Sequence, residues 1–309
     1  MLNFTSLKVY FKNKFINFDK ATVNIANTSF LYGLGVFTGM RAHYNETEKQ
    51  LYVFRPQDHY KRLKNSCTIC QMNHFIKDYS YNKFLKIILK LLKINKINQD
   101  VYIRVSVFID DNAIGPKFGF YKDALAIYLY PLGDYVPTDG MKCQTSSWRR
   151  IEDNAIPART KVFGAYVNTA FAKTEALQNG YDEAIVLDNI GHVVEGSAEN
   201  IFIVRDNQII TPPITDNILE GVTRKTVMEI AQDEGIPVIE RSIDRTELYI
   251  ADEVFFSGTG AKVSPVTQID NYKINNGKIG PISKKIQKTY FDAVKGKIEQ
   301  YKKWVMPID

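Results

Sequence analysis

The chain has 309 residues, 45% hydrophobic and 12% aromatic, with 40 Lys+Arg against 34 Asp+Glu and a net charge of +6. That much apolar material excludes a mainly disordered chain, and no apolar run reaches the ~18 residues that a membrane-spanning helix needs. At roughly 100–200 residues per domain, two domains are expected rather than one core.

The positive excess is modest and spread along the chain, 29 Lys to only 11 Arg, so no nucleic-acid partner is expected. Lysine is the generic solubilising residue here, which makes each arginine, suited to gripping carboxylate or phosphate, the more informative cation. Cys67, Cys70 and Cys143 cannot all pair, and a lone C-x-x-C without a second cysteine or His pair makes a poor metal site, so buried thiols and no metal are expected. The N-terminal Met1-Leu2-Asn3-Phe4-Thr5 carries no basic region followed by an apolar stretch, and the cytoplasm is the expected compartment.

In chain order, Val9–Phe11 and Phe15-Ile16 flank a turn at Lys12-Asn13-Lys14, and Leu51–Phe54 follows a polar stretch from Asn45 to Gln50, so both read as hairpins. Pro56 in a first turn, followed by Asp58, His59, Arg62 and Leu63, predicts a helix carrying Arg62 one turn in. Phe84 to Leu92 is amphipathic, Val101–Val105 alternates, and Ala124–Tyr130 is a strand-like run ending at Pro131. Two Pro, two Gly and two Asp mark 131–140 as a connection, with the linker placed at 131–138.

Beyond it, Val162 to Gln178 reads as a helix stopped at Asn179-Gly180. Strands are predicted at Ala184–Leu187, His192–Val194, Ile201–Val204 and Ile209-Ile210, and a helix from Val222 to Glu234 that Gly235 stops. Asp244 and Glu247 resemble a capping box before the strand Val254–Phe256.

Four features could carry chemistry. Lys161 lies amid apolar residues, where a desolvated amine becomes a usable nucleophile, although an ordinary solvated lysine is the commoner reading for any one of 29. Glu195-Gly196-Ser197-Ala198-Glu199-Asn200 holds two acids and an amide between apolar strands, more than a turn needs. Gly221-Val222-Thr223 offers free N–H groups at a helix N-terminus, an anion site by geometry and dipole. Ser257-Gly258-Thr259-Gly260-Ala261 adds backbone donors after a buried strand.

Together these segments resemble the class IV (branched-chain and D-amino-acid) aminotransferases, which use pyridoxal 5′-phosphate. The matching residues are Ile156-Pro157 with Lys161, the run 195–200, Thr211-Pro212-Pro213, Leu219–Arg224, Leu248–Val254 and Ser257-Gly258-Thr259. Tyr32-Gly33, Val36-Phe37, Gly39-Met40-Arg41 and His59–Leu63 match in the first half, so the resemblance covers nearly the whole chain. Glu199-Asn200 and Tyr102-Ile103-Arg104 make it most similar to the branched-chain enzymes.

The resemblance implies an α+β / α/β, two-domain fold type IV enzyme, D-amino-acid-aminotransferase-like. Residues 1–130 would form the smaller domain, 131–138 the linker and 139–309 the larger, cofactor-binding domain with Lys161. It implies transamination between a branched-chain L-amino acid and 2-oxoglutarate, in a homodimer or higher homo-oligomer with the active site near the subunit and domain interface. The loop from Asp110 to Gly115 would reach the partner's site.

Lys161 would bond to the cofactor aldehyde and move the proton between substrate Cα and cofactor C4′. Glu195 would face the pyridine nitrogen. Tyr166, one helical turn after Lys161, would hydrogen-bond the ring's phenolic oxygen. Arg62, Val222, Thr223 and Thr259 would hold the phosphate, and Tyr32, Phe37, Tyr102, Arg104, Thr259 and Gly260 the substrate. One departure stands out: branched-chain members usually carry Phe-Glu-Gly where this chain has Phe37-Thr38-Gly39, an acid missing near the substrate side. The rival activities are a D-amino-acid or other amine aminotransferase, an aminodeoxychorismate lyase, and a non-catalytic binder of cofactor or amino acid.

Overall fold

The computed structural model describes residues 4–308, so Met1 to Asn3, part of the leader reading, lie outside the described residues. The chain forms two compact units: Met1–Gly133 with Thr160–Gly164 and Ala293–Asp309, and Asp134–Arg159 with Ala165–Asp292. The first break falls inside the stretch read as a linker. Two stretches beyond 139 belong to the first unit, contrary to expectation, and backbone pairing is the reason in both cases. Lys161 C=O accepts from Phe37 N–H at 2.9 Å and Gly35 C=O from Phe163 N–H at 2.8 Å, while the C-terminal strand Val305–Pro307 pairs with Gln50–Phe54.

The first unit is built on β1 (Lys8–Phe11), β2 (Lys14–Asn17), β3 (Gly35–Asn45), β4 (Gln50–Phe54), β5 (Val101–Ile109) and β6 (Asp123–Tyr130). With the C-terminal strand outside β4, they form a seven-stranded sheet whose order runs β4-β3-β5-β6-β1-β2, every pair antiparallel. On β5, Val101, Ile103 and Val105 are buried while Tyr102, Arg104 and Ser106 are half-buried, the period-two alternation of a strand with one face on a core.

The core face is covered by helices, beginning with α1 (Thr28–Tyr32), α2 (Pro56–Ile69), α3 (Asn73–Asp78) and α4 (Tyr81–Ile94), of which α2 packs on β3. Pro56 opens α2 as expected, after Arg55 in a left-handed conformation with φ 44°. The Arg55 N–H donates to Trp304 C=O and its guanidinium lies 4.2 Å from the Trp304 ring centroid, which fastens the chain's end to the start of α2. The buried stripe of α2 reads His59, Leu63, Ser66, Cys67, with two polar residues where a core-facing helix normally has apolar ones.

The second unit contains β7 (Met141–Arg149), β8 (Glu183–Leu187), β9 (Val193–Gly196), β10 (Asn200–Arg205), β11 (Gln208–Thr211), β12 (Val238–Glu240), β13 (Glu253–Gly258), β14 (Lys262–Ile269) and β15 (Tyr272–Lys273). Strands β10-β13-β14-β7-β8-β9 run side by side, and the pairing of Asn200 with Glu195 joins β10 to β9, closing the ring into a barrel-like sheet. Closure leaves those six strands no open edge along the ring. A cluster including Met141, Ile185, Ile201, Val254 and Phe256 forms its apolar core.

Three helices flank this sheet: α5 (Tyr166–Gln178), α6 (Val222–Asp233) and α7 (Pro281–Val294). Ala172 and Ala176 let α5 lie close against Ala184 and Val186. Gly180 and Gly235, at φ 80° and 69°, end α5 and α6 in the left-handed conformation that glycine permits. Two expectations fail here. α5 begins at Tyr166, not Val162, because Val162 is bridged to Val36. Asp244 and Glu247 form no capping box: the Glu247 N–H donates to the Asp244 backbone C=O, the Asp244 carboxylate lies 3.5 Å from His192 Nε2, and the Glu247 carboxylate is taken by Arg205 and Arg241. All three cysteines are free and buried, as expected, and burial pushes the Cys70 thiol up to about 11. Among the described residues, no helix is long and apolar enough to cross a membrane.

Candidate active site

The two units each gather part of the expected set. In the first, Lys161 precedes any helix and lies in the extended segment beside β3, its N–H 3.3 Å from Ser66 Oγ. Its Nζ is 5.1 Å from the centroid of Phe37, and the Arg104 guanidinium is 4.0 Å from the same ring, so one aromatic side chain neighbours both cations. Two glycines flank Phe37 on the same face of β3. A Cβ at Gly35 would fall 2.3 Å from the Phe163 ring, and one at Gly39 would fall 1.9 Å from Tyr102 Oη. These positions must lack side chains for the two rings to lie on the strand. Burial, the largest influence, raises the Tyr102 pKa, which keeps its hydroxyl a neutral donor. Tyr32 stands apart at the end of α1, its hydroxyl accepting from Gly115 N–H at 3.4 Å.

The opposite face of β3 carries Thr38, fully buried. Arg62 Nη2 donates to Thr38 Oγ1 at 3.2 Å, and His59 Nδ1 lies 3.1 Å from the same oxygen. Burial, then the positive charges of Arg62, Lys161 and Arg55, hold the His59 pKa well below its ordinary value, so the ring is neutral. The residue expected near the substrate side thus has Arg62 and His59 as its neighbours. Strand alternation turns it away from Phe37 and Gly39 and toward Arg62.

In the second unit, three motifs far apart in sequence meet at Asn200. Its backbone pairs with Glu195 on one side and Ser257 on the other. Its side-chain Nδ2 donates to Leu219 C=O at 2.9 Å, and a Cβ at Gly221 would fall 2.0 Å from Asn200 Oδ1. The run 195–200 is thus a tight hairpin around Ser197-Ala198, closed by Gly196 N–H to Glu199 C=O at 2.7 Å.

Glu195 is buried. Its Oε1 pairs with Arg150 Nη1 at 3.0 Å and its Oε2 accepts from Leu219 N–H at 3.2 Å, which fixes the carboxylate's plane. Glu199 is buried beside it, accepting from Ala198 N–H at 3.0 Å. Burial and then the Glu183 charge push its carboxyl up to about 8. Thr259 and Gly260 lie in the turn between β13 and β14, next to Ser257, which is itself paired with Asn200.

No side chain caps α6, and the first of its N–H groups to find a carbonyl is that of Lys225, to Gly221. Val222 and Thr223 therefore present N–H groups and the positive end of the helix dipole. The hydroxyls of Ser197 and Ser257 are buried without a protein partner, an unusual state that a polar ligand would relieve. Uncapped helix donors, spare hydroxyls and an oriented carboxylate fit a phosphate-bearing pyridine cofactor.

Tyr166 is half-buried at the first position of α5. The argument that put it on one helical face with Lys161 does not hold, because Lys161 is not helical. Sequence reading also missed Arg150, which the scarcity of arginine pointed to, and the Thr38-His59 pair, signalled by polar residues in an otherwise apolar stripe.

Residues 35–269 match the family model for class IV aminotransferases. The probable branched-chain-amino-acid aminotransferase of Aquifex aeolicus is 47% identical over 303 residues, spanning 97% of this chain and 96% of that protein. The structure of the branched-chain aminotransferase from Thermoproteus uzoniensis with norvaline has a TM-score of 0.94 at 40% identity, covering 98% of this chain and all of that one. The holo, pyridoxal-phosphate form of the Thermobaculum terrenum enzyme gives 0.93 at 32% identity, covering 99% and 100%. With the family model spanning most of the sequence and a near-complete relative at 47% identity, this chain belongs to the class IV aminotransferases.

Proposed function

We propose that this enzyme exchanges an amino group between a branched-chain L-amino acid and 2-oxoglutarate in two half-reactions, giving a branched 2-oxo acid and glutamate. The observation that carries the substrate class is the 47% identity, over nearly the full length, to a probable branched-chain enzyme. Pyridoxal phosphate, when bound, supplies an aldehyde that bonds to amines and a ring that draws electrons from the substrate's Cα.

Lys161 would hold the aldehyde of the bound cofactor and would move the proton to and from substrate Cα. Glu195, oriented by Arg150 and Leu219 N–H, keeps the pyridine nitrogen protonated. Tyr166 donates to the ring's phenolic oxygen. Arg62, the N–H groups of Val222 and Thr223, and Thr259 hold the phosphate. Arg104, Tyr102, Tyr32, Phe37, Thr259 and Gly260 receive the substrate.

The second unit carries most of the cofactor-binding set and the first supplies Lys161 and Arg62, the chain passing between them within 131–138 and again on either side of Thr160–Gly164 and before Ala293. The working form is a cytoplasmic homodimer. Exposed apolar groups such as the stacked Trp148 and Phe171 support an interface with a second copy, and sedimentation of the holoenzyme as a monomer would remove that part. The decisive experiment screens leucine, isoleucine, valine, D-alanine and aminodeoxychorismate as substrates, read by cofactor absorbance. Activity with D-alanine but none with leucine would overturn the proposed substrate class. Lys161→Ala is expected to abolish both the visible absorbance of the bound cofactor and turnover while the circular dichroism stays that of the wild type.

A further inference from the structure

The position at which the branched-chain pattern has an acid is here a fully buried threonine, and its surroundings explain what the hydroxyl does. Thr38 Oγ1 has two polar neighbours on α2: Arg62 Nη2 at 3.2 Å and His59 Nδ1 at 3.1 Å. Arg62 keeps its N–H protons and has no acceptor, so Thr38 must accept from it. The hydroxyl's own proton is then available to the neutral His59 ring, whose Nδ1 accepts when the ring carries its proton on Nε2. One hydroxyl thereby uses its acceptor on the arginine and its donor on the histidine. Valine, of the same shape, would fill the space and satisfy neither.

We propose that Thr38 is a positioning residue for Arg62, holding the guanidinium through an uncharged hydrogen bond that itself takes nothing from the charge offered to the cofactor phosphate. A carboxylate at this position would orient Arg62 equally well but would cancel part of its charge. The inference rests on the assignment of Arg62 to the phosphate.

The test measures dissociation constants of pyridoxal phosphate and of phosphate-free pyridoxal, by titrating the resolved full-length enzyme and following tryptophan fluorescence. Thr38→Val and Thr38→Ala are expected to weaken pyridoxal phosphate about tenfold, the size of effect when a partner of a charged hydrogen bond is removed. Pyridoxal binding should stay unchanged, and Thr38→Ser should restore the wild-type value. Equal weakening of both ligands, or equal loss in the serine variant, would mean that Thr38 only fills space and would overturn the proposal. Arg62→Met separates this from the underlying reading. If it weakens pyridoxal phosphate selectively while Thr38→Val does not, the positioning role alone fails. If Arg62→Met leaves the phosphate-bearing ligand unaffected, the phosphate assignment fails and the proposal with it.

Discussion

Replacing Arg150 with methionine probes how the carboxylate of Glu195 is held. The pair is close and dry: Nη1 to Oε1 is 3.0 Å, with side chains 14% and 6% exposed. At an effective dielectric constant of about 20, two charges at that distance attract by about 5 kcal/mol, before the desolvation that offsets much of it. Removing one partner of a buried pair costs about 3–5 kcal/mol, chiefly because the other charge is left stranded. Here Leu219 N–H still holds the second oxygen and Asn217 C=O loses the Arg150 Nε donor, so about 3 kcal/mol is expected in Arg150→Met. The assay is urea unfolding of Arg150→Met, Glu195→Gln and the double variant, with midpoints read at constant slope. Their coupling should be at least about 2 kcal/mol, above the scatter of independent sites. A coupling within about 0.5 kcal/mol of zero would show that the pair is not formed as described and would refute the reasoning.

Gly39→Ala places a methyl group 1.9 Å from Tyr102 Oη, so the ring must leave β3. KM for the amino acid should rise about tenfold or more at unchanged cofactor absorbance, on the scale of one lost substrate hydrogen bond, and steady-state kinetics with the full spectrum checks it. Gly221→Ala meets Asn200 Oδ1 at 2.0 Å and displaces the turn into α6, so weaker binding of pyridoxal phosphate is expected in a fluorescence titration. Glu199 supplies a pH signature. Its folded carboxyl, raised to about 8 against an ordinary 4.5, keeps a proton that the unfolded chain has released between those values, so its contribution falls as pH rises through that window. Glu199→Gln should therefore gain in thermal midpoint relative to wild type at pH 8 and match it near pH 4.5, in parallel melts.

The sequence made visible what is local. Pro56 opening α2 and the glycine stops after α5 and α6 follow from short-range rules of φ and periodicity, and the structure has them. Long-range pairing is what local rules cannot see. The apolar spacing of Val162-Phe163 matched a helix, yet those residues bridge to β3, so Lys161 does not stand at the entry to α5 and belongs to the first unit. Asp244 and Glu247 had the spacing of a capping box, but two arginines compete for Glu247 with charge-assisted bonds, stronger than an N-cap contact. The pairing of Arg150 was hidden for the same reason, its partner Glu195 lying on the distant strand β9. Asn200 stood in the quoted motif without a role, because its work is to fasten two segments that only the closed sheet brings to it.

The organisation of β3 gives these substitutions a common logic. A strand offers alternate residues to opposite faces, so Phe37 and Gly39 lie with Arg104 and Tyr102, while Thr38 lies with Arg62 and His59. If Arg62 holds the phosphate and Tyr102 and Arg104 the substrate, adjacent residues of one strand govern different ligands. Changes at 38 then act on cofactor affinity, and changes at 37 and 39 on substrate affinity, with little crossover despite shared backbone. An acid at position 38 of this strand would likewise face Arg62. On those assignments, the consequence of the threonine to look for is in how tightly the cofactor is retained.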